Sequence, residues 1–167
     1  LLGIPIVNAS KQAKDGSYVM AGSNIEFIPP QAITIKGFII KTDTIGNVLW
    51  SKRVIFDTDV FTLLTEMTVD KKGDILVSGF NIDLANADVY RFVIKFDDQG
   101  KTIWQKRYPN FQSQNQGGQI FETSDGGYGI TYTALDGDKT FTSLIKTDKD
   151  GKSSCESDIE DVIVFDH

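Results

Sequence analysis

Few residues in this chain are suited to covalent or metal chemistry. Its one histidine is His167 and its one cysteine is Cys155. A Ser-His-Asp or Cys-His nucleophile needs a base positioned beside it, and the only imidazole is that of His167. Zinc binding through Cys and His ligands is equally unsupported, and a lone cysteine excludes an internal disulfide. Acids are plentiful, with 23 Asp and Glu. Paired carboxylates for glycoside hydrolysis therefore stay open, although no Glu recurs in a recognisable setting. Asp148-Lys149-Asp150-Gly151 invites a calcium reading, but an EF-hand loop needs further oxygen ligands and a bidentate Glu at its twelfth position. A hairpin turn is the better reading. The sequence predicts no metal, no cofactor and no catalytic residue.

What does recur is structural. Phe38-Ile39-Ile40-Lys41-Thr42-Asp43, Phe92-Val93-Ile94-Lys95-Phe96-Asp97 and Ser143-Leu144-Ile145-Lys146-Thr147-Asp148 align without gaps, and each runs on to a glycine, Gly46, Gly100 or Gly151. Trp50 and Trp104 follow the first two glycines at the same distance, and Cys155 takes that place in the third. A tryptophan fixed after a turn buries a large apolar surface, so packing between units is a better assignment for it than ligand stacking. Lys41, Lys95 and Lys146 recur at one position, which in a repeat is architectural rather than catalytic.

A second triplet precedes the first: Asp15-Gly16-Ser17-Tyr18, Lys72-Gly73-Asp74-Ile75 and Asp125-Gly126-Gly127-Tyr128. Each short Gly turn between β-prone runs reads as a hairpin. In the Asp-x-x-Gly turns, Gly supplies positive φ while Asp accepts from backbone N–H groups ahead of it. The run before each such turn is apolar without alternation, as expected for a strand buried on both faces. No helical periodicity competes. Four strands per unit of about 50 residues is the pattern of a propeller blade between neighbours.

Asp-x-x-Gly-x-x-x-Trp at 43–50 and 97–104 resembles the tryptophan-docking turn of quinoprotein-like propellers. Joined to Ser124-Asp125-Gly126-Gly127-Tyr128, the pattern is similar to secreted β-propeller repeats of Bacteroidetes-type bacteria. The resemblance implies an all-β fold of three four-stranded antiparallel blades, at about 4–54, 61–108 and 117–157, with an extension at 158–167. It also implies an extracellular or cell-surface setting. Quinone chemistry would need a complete ring and central ligands that three units do not display. Cys155 for Trp marks the third unit as the last blade, since terminal repeats depart from their pattern.

The net charge of −6 and scattered Lys and Arg argue against nucleic acid as a partner. No apolar run reaches the roughly 18 residues of a bilayer span. Short Gly turns occupy one end of each unit, and the connections that vary in length share the other, where specificity belongs. The candidate ligand-binding residues there are Asp57, Asp59, Phe61, Asp83, Asn86, Asp88, Asn110, Gln112 and Asn115, with Gln114, Gln116, Phe27 and Phe111 beside them. Amide, carboxylate and aromatic groups together suit a protein or glycan. The expectation is thus a non-enzymatic binding or scaffolding module. Its alternatives are a piece of a secreted propeller hydrolase or lyase acting on polysaccharide, and a structural repeat of a large adhesin. Three units leave two faces uncovered, so further blades of the same polypeptide or a second copy are expected partners.

Overall fold

The structure is a computed structural model that describes residues 3–28, 32–56, 61–83, 88–108, 118–136, 139–153, 157–158 and 162–166. It is all-β, with no helix among the described residues. Four strands form the first antiparallel meander: β1 (Gly3–Gln12), β2 (Tyr18–Ile28), β3 (Ala32–Thr42) and β4 (Val48–Phe56). A second meander follows in β5 (Phe61–Val69), β6 (Ile75–Asp83), β7 (Asp88–Phe96) and β8 (Thr102–Tyr108). The third comprises β9 (Gly118–Glu122), β10 (Tyr128–Asp136) and β11 (Lys139–Thr147). A single parallel bridge, Ile35 to Phe61, links the first two meanders, and neither resulting sheet closes on itself.

The turns follow from their sequence. Asp43, Asp97 and Asp148 each turn one carboxylate oxygen inward to accept two backbone N–H groups, at 3.0 and 2.8 Å, 2.9 and 2.8 Å, and 2.9 and 2.8 Å respectively. Gly46, Gly100 and Gly151 close these turns at φ of 93°, 79° and 75°, the left-handed region that a Cβ disfavours. Of the two carboxylates that suggested calcium, Asp148 thus holds its own backbone and Asp150 pairs with the Lys149 ammonium at 2.7 Å.

Strand alternation sorts the core into two layers. Tyr90, Phe92, Ile94 and Phe96 of β7 face the first meander, where they bury with Val19, Ile39, Val54 and Phe56. Val93 and Leu76 point the other way, onto Ile120, Tyr128, Ile130 and Ile145 of the third. The middle meander is therefore covered on both faces, as the unbroken apolar run 92–94 implies.

One expectation needs correction. The third meander has three strands among the described residues rather than four. The chain leaves β11, and β12 (Ser157–Asp158) pairs with β8 of the second meander. β13 (Val162–Asp166) then pairs with β4 of the first. The reason lies in what anchors a fourth strand. β4 and β8 each carry a tryptophan that seats on the following meander, whereas the corresponding segment of the third carries Cys155. Cys155 itself lies outside the described residues.

Candidate functional site: the junctions between meanders and the cleft at Lys95

The two junctions are built alike. Trp50 on β4 reaches the Asp97–Gly100 turn of the second meander, where its indole N–H donates to the Asp98 carbonyl at 3.1 Å. Trp104 on β8 reaches the Asp148–Gly151 turn of the third and donates to the Lys149 carbonyl at 3.3 Å. Each ring lies flat against the turn glycine. A Cβ on Gly100 would stand 3.1 Å from Trp50, and one on Gly151 would stand 2.9 Å from Trp104. The stems of Lys52 and Lys106 complete the two contacts, each 3.1 Å from the same hypothetical Cβ. Glycine is needed twice over here, for its φ and for the room it leaves. Both tryptophans are half-buried, and Trp104 stacks obliquely on Tyr128 with centroids 6.0 Å apart.

The recurring lysines lie beside these docks. Lys41 is buried, pairs with the Asp98 carboxylate across the first junction, and lies 3.5 Å from Asp15. Lys146 pairs with Asp125 at 2.8 Å on the surface. Lys95 has the more buried partners, with Asp70 at 3.0 Å, Asp74 at 2.8 Å and the Tyr128 hydroxyl at 2.8 Å. The Tyr128 hydroxyl in turn donates to Asp70 at 3.0 Å. A lysine ammonium has three donors, and these three partners account for them.

Electrostatics follow from that geometry. Burial pushes the Asp70 carboxyl up, but hydrogen bonds from Lys95 and Tyr128 outweigh it and hold the group below the ordinary carboxylate range. Burial opposes the Lys95 charge, yet Asp74, Tyr128 and Asp70 raise its pKa above the usual lysine value. Burial raises the Tyr128 phenol as well. On the surface, the Lys146 ammonium, assisted by the Thr123 hydroxyl and the Gly127 N–H, holds Asp125 well below the carboxylate range. A general acid or base works best with its pKa near the operating pH. These groups are driven away from neutrality, so the cluster fixes charge in place rather than exchanging protons.

Above Lys95, between the second and third meanders, lies a polar cleft of about 270 Å³ rimmed by Lys72, Glu122, Asp125, Lys149 and Asp150. A second groove, about 480 Å³, follows β1, β5 and β9, with Asn8, Lys11, Thr65, Glu66 and Gln119 on its walls. Glu66 is buried there and accepts from Arg91 at 3.0 Å.

Of the residues assigned to ligand binding from sequence, Phe61, Asp83 and Asp88 fall within the described residues. Phe61 opens β5, half-buried and opposite Ile82, while Asp83 and Asp88 face each other at the closing end of the β6–β7 hairpin. The register brings all three to one end of the second meander, away from the Gly turns. Asp83 is buried and bonded. Phe27, at the same end of the first meander, is 44% exposed. Asp57, Asp59, Asn86, Asn110, Phe111, Gln112, Gln114, Asn115 and Gln116 lie outside the described residues.

Reasoning from sequence missed the Asp70–Lys95–Tyr128 cluster and the Arg91–Glu66 pair. A signal for the first was present. Lys72 stands where Asp15 and Asp125 stand in the other turns, so the carboxylate serving Lys95 had to come from elsewhere in the turn, and Asp70 and Asp74 flank that position. Nothing local marks Arg91 and Glu66, which meet only through tertiary packing.

No protein-family model matches the chain, and no curated protein matches it significantly.

Proposed function

We propose that this chain is a run of three β-propeller blades from an extracellular binding or scaffolding protein, with no catalytic centre of its own. The architecture is favoured by consecutive meanders joined by one repeated junction and by inner strands β1, β5 and β9 lying side by side. The Asn8 amide of β1 donates to the Leu64 carbonyl of β5 at 2.7 Å. In a propeller those strands line the central channel, and the groove along them is that channel's wall.

One observation carries the binding role. All six described turns at one end share a single hydrogen-bonding scheme, with backbone bonds of 2.8 to 3.3 Å, whereas the connections at the other end differ from unit to unit in sequence and length. A rigid frame with one uniform and one variable end presents its specificity at the variable end. The buried charges are matched within the frame, which supports a holding role rather than a reacting one. The ligand class is a protein or a glycan.

The test is a screen of the chain against immobilised glycans and surface proteins, repeated with 109–117 replaced by a Gly-Ser linker of equal length. Binding lost with unchanged melting is the expected outcome. Retained binding, or turnover of a polysaccharide by the parent chain, contradicts the reading.

A further inference from the structure

The same positions can be compared across the units of one chain, and the first unit differs from the second in how far one face is covered. Tyr18, Met20, Phe38 and Ile40 of the first meander correspond to Ile75, Val77, Phe92 and Ile94 of the second. The second set is buried to within 1% of complete against the preceding meander. In the first set Tyr18 is 43% exposed and the other three are half-buried. Phe38 and Ile40 floor an apolar groove of about 570 Å³ whose walls include Pro5, Val7 and Val48. The turn beside it repeats the contrast. Gly100 and Gly151 are buried beneath tryptophans, whereas Gly46 is exposed and a Cβ there would meet nothing within 4 Å. Ile45, on the same turn, is 83% exposed where the other turns have Gln99 and Asp150.

We infer that this face is a vacant tryptophan dock, built to receive a fourth strand bearing Trp-x-Lys from a further unit of the same kind. Both occupied docks show what the occupant brings: an indole on the turn glycine, an indole N–H to the carbonyl two residues earlier, and a lysine stem beside it. The third meander of a second copy is a poor candidate for the same place. Its outward face keeps Leu144, 63% exposed, in the place of buried Ile39 and Val93. It has Gly129 where Val19 and Leu76 stand, Cys155 for the tryptophan and Ser157 for the lysine. The receiving face of unit one is intact, and the donating face of unit three is not. The inference deepens the propeller reading but rests on the repeated junction rather than on closure of a ring.

The test extends the full chain by duplicating residues 61–117 ahead of Leu1, so that a second Trp-x-Lys strand precedes the first meander. The melting temperature should rise by about 4 °C or more, and fluorescence from anilinonaphthalene sulfonate bound at the open groove should fall. Trp104→Ala made only in the added copy should return both readings to those of the parent. An extended chain no more stable than the parent, folded or not, overturns the inference. So does an added unit that stabilises equally well without its tryptophan. Sedimentation of the parent chain supplies an independent reading. A monomer is expected, and a tight dimer abolished by both Ile40→Asp and Leu144→Asp would assign the face to a second copy instead. Ring closure affects none of these measurements, so a wrong blade count would leave them standing.

Discussion

Lys41, Lys95 and Lys146 occupy one position in three units and contribute very differently. The Lys95 side chain is 7% exposed and its Asp70 partner 3%, whereas Lys146 and Asp125 are 45% and 63% exposed. Removing one member of a buried ion pair leaves the other charge uncompensated, which costs about 3–5 kcal/mol. Lys95→Met should show that loss in urea melts at neutral pH, while Lys146→Met should be close to silent, since exposed pairs contribute little. The pH dependence has a definite sign. Asp70 has a lowered folded-state pKa, so its contribution is present above the unfolded value of about 3.9 and is lost as pH falls through the folded one. Lys95 has a raised pKa, so its contribution is complete below the unfolded value of about 10.4 and is lost as pH rises through the folded one. The deficit of Lys95→Met should therefore shrink toward both extremes. Equal deficits for the two lysine variants would show that burial does not separate them.

At the scale of strands, much was legible and some was not. Gly46, Gly100 and Gly151 announced turns because positive φ is a local demand. The apolar run 92–94 announced two-sided burial because a strand shows alternate residues to opposite faces. The destination of the last strands was not legible in this way. Which exposed edge a strand joins depends on edges left open elsewhere, here those of β4 and β8. Ile163 and Val164 therefore lie opposite Ile55 and Val54 of a unit more than a hundred residues earlier, a pairing that no local pattern encodes. Loop composition marks exposure in general, and Asp83 proved buried. Removing residues 162–167 should quicken amide hydrogen exchange at alternate positions of 52–56, those bonded toward β13, and leave β6 and β7 unchanged. Unchanged exchange along β4 would remove β13 from that edge.

Over the whole molecule, the meanders stand in series and each touches mainly its neighbours, so stability is expected to be a sum of unit terms and junction terms. Each junction combines a buried apolar layer with one docked indole, Trp50 at the first and Trp104 at the second. Trp50→Ala and Trp104→Ala should each cost about 3 kcal/mol, the lower end for a large aromatic truncation because both rings are half-buried. The two losses should be similar because the two docks are alike. Trp50→Ala should also release the first meander in a separate early transition, leaving the second and third joined. Urea unfolding of the parent and the two variants, followed by tyrosine and residual tryptophan fluorescence, measures this directly. Matching destabilisation of the two variants is the expected result. Variants that melt with the parent while losing a bound protein or glycan would instead make the tryptophans recognition residues and contradict the repeated junction.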